Sequence, residues 1–453
     1  MRLSHWLPLP TALLLAVPLT AQAPPAVHQP WLDSLAHAPQ SARIERDIRT
    51  LVGFGTRHTA SDTVSTTRGI GAARRWIHAE FERISAACGG CLEVRYVRSM
   101  VQGSPSGRLT DDTEIVSVIA IQRGTRRPGT VVLMSGDIDS RVSDARNATD
   151  DAPGANDNAS GMAGAIEAAR VLSTRRFPNT IIYAGLAGEE QGLYGGAALA
   201  AMLVDSGWTV LGVLNNDMIG NIAGINGVVD SREFRIFSEP VPVDQTDADR
   251  RAQRIYGGEV DGPSRQLARQ IAALTTRYMP ELEPRMVYRL DRFGRGGHHR
   301  PFNDLGMPAV RVMEAHEHYD RQHQDIRTEN GRAYGDVIAF VNFEYVAKLT
   351  GVNVVTLADL AAAPPPPDRV RLTGAVSADT HVAWQAVDAP DLAGYRIYWR
   401  DTTEPQWHWS RFVPAGLDKL TLEGIIIDDY LFGVAAVGRD GSESVVRFPS
   451  FVR

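Results

Sequence analysis

Apolar residues recur along the chain with two different periods, and the change from one to the other divides it. Ile70, Ala73, Ile77, Phe81 and Ile84 fall at helical spacing and predict an amphipathic helix packed on a sheet. Short continuous apolar runs at 115–121, 131–134, 181–186, 210–214 and 309–313 read as buried strands. Helical patterns stand between and after them: Met162, Ile166 and Ala169, then Leu267, Ile271 and Leu274, and a closing helix marked by Val337, Phe340, Val341 and Tyr345. Strands alternating with helices predict an α/β unit with a mixed, mostly parallel sheet flanked by helices. Beyond residue 367 the period drops to two. Val382 and Trp384, then Tyr395, Ile397 and Trp399, then Tyr430, Phe432, Val434 and Ala436 alternate as in a small all-β sandwich. The alanines and four prolines of 361–367 read as a stiff linker between a unit at 24–360 and the sandwich at 368–453.

The first residues have a different pattern. Arg2, a proline-broken apolar stretch from residue 6 to 19, and Ala21-Gln22-Ala23 make up a signal peptide over 1–23. The stretch is too short for a membrane span, which needs about 20 apolar residues, and no later stretch approaches that length. The expectation is an exported protein, periplasmic or extracellular, with no membrane span.

Chemistry enters where strands end. The run at 131–134 leads to Asp137 and Asp139, and then to the acidic turn 151–161, where Pro153 and Gly154 break regular structure ahead of Asp157. The next run leads to Glu189 and Glu190, and the one after it to Asp217; His323 comes much later. Taken alone, the turn is equally a solvated loop that caps a helix. Adjacent glutamates after a buried strand require a compensating cation, and open α/β sheets gather ligands at these strand ends.

These motifs, in this order, resemble metallopeptidase family 28, the co-catalytic zinc aminopeptidases whose relatives include glutaminyl cyclases. The likeness spans residues 43–349. It implies that Asp157 bridges two metals, that Glu190 and His323 complete one site, that Asp217 belongs to the other, and that Glu189 is the general base. One departure stands out: the family's first metal-binding His is replaced by Asp137, so Asp139, which in the family orients that His, loses its object. Asp137, Asp157 and Asp217 then form an all-oxygen site suited to a hard divalent ion, while Asp157, Glu190 and His323 form a zinc site with an open position. His298, His299, His316 and His318 are read as loop residues, with His298 and His299 exposed, although any of them could supply the missing imidazole.

The implied function is a zinc metallo-exopeptidase, an aminopeptidase acting on peptides or proteins. A single-zinc glutaminyl cyclase-like acyltransferase and a catalytically weak peptide-binding protein are the alternatives. Composition narrows this further: a net charge of -6 and no basic block argue against nucleic acid as a partner. Cys88 and Cys91, the two cysteines, predict a local disulfide in an exported chain. The C-terminal alternation, with Trp384, Tyr395 and Tyr430 on separate strands, resembles a fibronectin type III module, whose free surface could contact a polymer or another surface.

Overall fold

The computed structural model describes residues 28–449, so the expected signal at 1–23 lies outside the described residues. Eight strands form the central sheet: β1 (Leu92–Val101), β2 (Thr113–Gln122), β3 (Arg127–Asp137), β4 (Asn179–Leu186), β5 (Thr209–Asn216), β6 (Glu233–Ser238), β7 (Glu283–Val287) and β8 (Ala309–Glu314). Their order is β1-β2-β4-β3-β5-β8-β6-β7. β4, β3, β5 and β8 run parallel and carry four of the five apolar runs, the fifth lying on β2; β2 pairs antiparallel with β1 and β4, and β6 pairs antiparallel with β8 and parallel with β7. Parallel strands covered on both faces need no polar side, which is why these four read as uninterrupted apolar segments.

The described residues form ten helices, most of them flanking the sheet: α1 (Pro30–Ala36), α2 (Ser41–Val52), α3 (Gly69–Ala87), α4 (Ala159–Leu172), α5 (Glu189–Gly192), α6 (Tyr194–Asp205), α7 (Asp247–Tyr256), α8 (Pro263–Tyr278), α9 (Arg300–Asn303) and α10 (Phe343–Ala362). On one face α3, α4, α8 and α10 pack Phe81, Met162, Leu267 and Leu357 against Val132 and Met134. On the other, Leu199 and Leu203 of α6 and Phe302 of α9 cover Leu133, Ile182 and Val213. Cys88 and Cys91 are joined in a disulfide where α3 turns back toward β1.

Two expectations are corrected here. Val337, Phe340 and Val341 lie outside the closing helix; a short 3-10 turn at Ile338–Phe340 precedes it. α10 starts at Phe343, because the Asn342 side chain accepts the Tyr345 amide and sets the helix start. α10 then runs through Ala361 and Ala362, and Ala363 is also buried. The alanines of the expected linker are thus part of the core, and of the prolines Pro364 and Pro367 are buried.

The C-terminal unit has strands β11 (Asp368–Thr373), β12 (Thr380–Gln385), β13 (Leu392–Asp401), β14 (Trp409–Pro414), β15 (Lys419–Leu422) and β16 (Tyr430–Gly438), after the small hairpin β9 (Arg327–Glu329) and β10 (Arg332–Tyr334). Two antiparallel sheets, β11-β12-β15 and β14-β13-β16, enclose Val382, Trp384, Tyr395, Ile397, Phe432 and Val434. β13 is buried on both faces: of its outward side chains, Arg396 pairs with Glu443 within the C-terminal unit and Arg400 docks on the first unit. Arg400 reaches Asp261 at 2.8 Å, Arg269 meets the same carboxylate at 2.8 Å, and Arg127 pairs with Asp391 at 3.0 Å.

Arg400→Met leaves the buried Asp261 with one cation instead of two. Unfolding by denaturant should show a loss of about 3 kcal/mol, the low end for breaking a buried pair. An unchanged midpoint would mean that Arg269 alone satisfies Asp261.

Candidate metal centre

The parallel strands all end at the same edge of the sheet, and the acidic residues lie just beyond them. Asp157 sits at the end of a turn that the surrounding structure holds by its backbone. Asp336 accepts the amides of Asn156 and Asp157 at 2.9 and 2.7 Å. The fully buried Arg57 donates to the carbonyls of Pro153, Gly154 and Ile138 at 2.5, 2.9 and 2.8 Å. Gly154 has φ of 50°, and a Cβ there would stand 2.4 Å from the Asp157 carbonyl oxygen. Sequence reasoning missed Arg57 and Asp336. Both lie in polar segments without helical or strand periodicity, so nothing in the pattern distinguishes them from surface residues.

The two glutamates are positioned by a different device. Gly188 takes φ of 77°, which starts α5 at Glu189. Asp139 accepts the amides of Glu189 and Glu190 at 3.2 and 2.9 Å. Having no histidine at 137 to orient, Asp139 instead caps the helix turn that carries both glutamates.

Asp157, Glu190 and His323 converge, with their ligand atoms within 4.8 Å of one another. His323 Nε2 lies 2.8 Å from Asp157 Oδ2 and 2.8 Å from Glu190 Oε1. The buried Glu190 Oε1 atom has no partner besides that imidazole, and two carboxylate oxygens with one imidazole nitrogen are a donor set that fits zinc. Arg141 holds the far side of both ligands, reaching Glu190 Oε2 at 2.7 Å and His323 Nδ1 at 2.7 Å. Burial pulls the His323 pKa down, but the carboxylates of Glu190 and Asp157 outweigh it and hold the imidazole at about 9. Burial, with Asp217 and Glu190 nearby, pushes Glu189 well above the usual carboxylate range. A cation on the adjacent triad opposes that shift and favours the ionised form.

The remaining expected residues are engaged elsewhere. Asp217 Oδ2 lies 2.8 Å from Arg311 Nη2. Asp137 receives Asn158 Nδ2 at 2.7 Å and meets His298 Nδ1 at 2.6 Å. Burial raises Asp137 to about 8 and lowers His298 to about 4, so the pair carries little net charge. The expectation of exposed His298 and His299 is corrected, since both are fully buried. The Gly296-Gly297 stretch lets the loop pack inward, and His299 Nε2 settles 2.9 Å from the Leu290 carbonyl oxygen. His316 and His318 pair with Glu233 and Asp320, not with the central acids.

Asp157, Glu189, Glu190, Asp217 and His323 open into a pocket of about 720 Å³, whose outer wall carries Arg108, Arg292, Arg295 and Arg300. A larger groove of about 1040 Å³ lies between the two units and shares no lining residue with it.

The model of peptidase family M28 matches residues 117–343. A "Probable zinc metalloprotease" of Leptosphaeria maculans is 42% identical over 422 residues, covering 92% of this chain and 96% of the relative. The chain belongs to peptidase family M28. It is a zinc metallopeptidase by that membership, and its fold is that of solved M28-type structures. The LapA aminopeptidase of Legionella pneumophila matches with a TM-score of 0.53 at 16% identity, over 78% of this chain and 77% of that one. A glutaminyl cyclase of Macrostomum lignano matches at 0.50 and 13%, over 72% and 91%. Among the described residues of this M28 chain, no helix is long and apolar enough to cross a membrane.

In metal-free protein His323 holds its proton below about pH 9, so zinc uptake must expel it. Apparent zinc affinity should therefore fall as pH falls, by about tenfold per unit between roughly pH 9 and 7, and level off above. Competition titrations with a chelator measure this. An affinity independent of pH would remove His323 from the ligand set.

Proposed function

We propose that this M28 peptidase is an exported zinc aminopeptidase that removes N-terminal residues from peptides or small proteins, with Asp157, Glu190 and His323 as zinc ligands and Glu189 as general base. The observation that carries this reading is the convergence of those three ligands beside Glu189 in one open pocket. Zinc held there would supply Lewis acidity toward a carbonyl oxygen and toward water. Glu189 accepts the proton released by the attacking water and returns it to the departing amine. Asp139 fixes the backbone of Glu189, so the carboxylate needs no rearrangement between those two steps. Arg141 donates to Glu190 Oε2 from behind and holds that ligand in place.

The shared fold of the LapA aminopeptidase supports the aminopeptidase assignment. A glutaminyl cyclase-like transfer is the second reading, favoured by there being one three-donor group among the described residues. The sandwich, read as a fibronectin type III-like module, leaves part of its surface free for a polymer or surface contact. Hydrolysis of free but not N-blocked aminoacyl substrates supports the first reading, and cyclisation of N-terminal Gln peptides without hydrolysis supports the second. Binding of peptides with no turnover of any kind would leave only a binding role.

Glu189→Gln keeps the shape of the side chain and loses the base. Turnover should drop by roughly 10²–10⁴-fold while zinc content stays the same. Full activity in that variant would assign the base elsewhere.

A further inference from the structure

We propose that Arg311 takes the place of a second metal ion, so that this is a one-metal peptidase whose co-catalytic position is filled by a fixed guanidinium. The inference rests on the reading of Asp157, Glu190 and His323 as the zinc ligands and concerns the other half of the site.

A second cation next to that triad needs Asp217 and whatever stands at position 137. Asp217 Oδ2 is held by Arg311 Nη2 at 2.8 Å, and Arg311 Nη2 also faces the Asp217 carbonyl oxygen at 3.4 Å. Asp137 is closed off by Asn158 and His298. Among the described residues, the one group of three donors close enough to hold a metal includes neither of these acids. The residues do not fit a second metal.

Arg311 cannot swing away. It lies on β8, an inner strand, where it stands opposite Asn215 of β5 and Phe237 of β6. Its side chain is 0% exposed. Nη1 reaches Asp291 Oδ2 at 3.2 Å and the Gly296 carbonyl oxygen at 2.9 Å. The loop approaches this closely because Gly297 has no side chain; a Cβ there would stand 3.1 Å from Arg311 Nη1. An arginine in this setting keeps its charge at any working pH. A divalent ion that took Asp217 would leave the guanidinium buried with half its counter-charge, which opposes the exchange.

The same guanidinium compensates the charge a metal would otherwise balance. Its field acts on Asp217, Asp291 and Glu189. Arg311 acts through Asp217 and is therefore a positioning residue: it pins that carboxylate in the pocket wall beside the base. An ordinary structural ion pair would predict loss of stability on substitution but no change in metal stoichiometry, and this separates the two.

The test is zinc titration of the full chain by calorimetry, with metal content measured after dialysis. Wild-type protein should bind one equivalent. Asp137→His restores the imidazole but leaves Arg311 in place, and should still bind one. Asp137→His combined with Arg311→Met should bind two, with folding checked by circular dichroism. Two tight equivalents in the wild type or in Asp137→His overturn the proposal, and these outcomes do not depend on whether the double variant folds. One equivalent in a folded double variant also overturns it, because something other than Arg311 would then exclude the second ion. No zinc in the wild type would instead refute the assignment of Asp157, Glu190 and His323.

Discussion

Desolvated negative charge at one edge of the sheet is the constraint that shapes this molecule. Asp137, Asp139, Glu190 and Asp217 are buried there within a few residues of strand ends, and the turn ahead of α4 brings the buried Asp157 to the same edge. Carboxylates removed from water must be protonated, hydrogen-bonded or paired. Each acid meets that demand differently: Asp139 through two helix amides, Asp137 through Asn158 and His298, Asp217 through Arg311, and Asp157 with Glu190 through His323. Only the last arrangement opens to the pocket with a donor set that a metal can take over.

The surrounding structure follows from the same constraint. Buried acids can be placed this accurately only if the backbone beneath them cannot drift, and the loops here are tied by side chains, not by secondary structure. Arg57 collects carbonyls and Asp336 collects amides, so the turn that carries Asp157 is clamped from both sides. Glu314, fully buried, does the same between Asn156 and the Asn221 amide. Such networks are costly when half satisfied and rigid when complete.

The chain's pattern made the fold largely legible, because parallel strands and amphipathic helices leave periodic signatures, and the ordered acids with the late histidine singled out Asp157, Glu190 and His323, which the fold brings together. Asp139 was read as an acid whose family role had lost its object, and the structure gives it another, the cap on α5. Arg311 left a readable signal, an arginine inside the apolar run 309–313, but a single charge in a strand has no partner until the fold brings Asp217 and Asp291 to it. His298 and His299 looked like loop residues because burial of a glycine-rich loop depends on tertiary packing. The proline run likewise gave no sign that the helix before it continues into the alanines, since alanine suits a buried helix end as well as a linker.

The sandwich was expected behind a spacer, yet it is seated by a buried ion pair at Asp261 and a half-buried one at Asp391. That seating turns a tether into a bracket. Whatever meets the free face of the sandwich meets a body whose orientation to the pocket is already set. Anchoring by that face would present the pocket mouth at one fixed angle and distance from the anchored surface, instead of letting it sweep a volume around the attachment point.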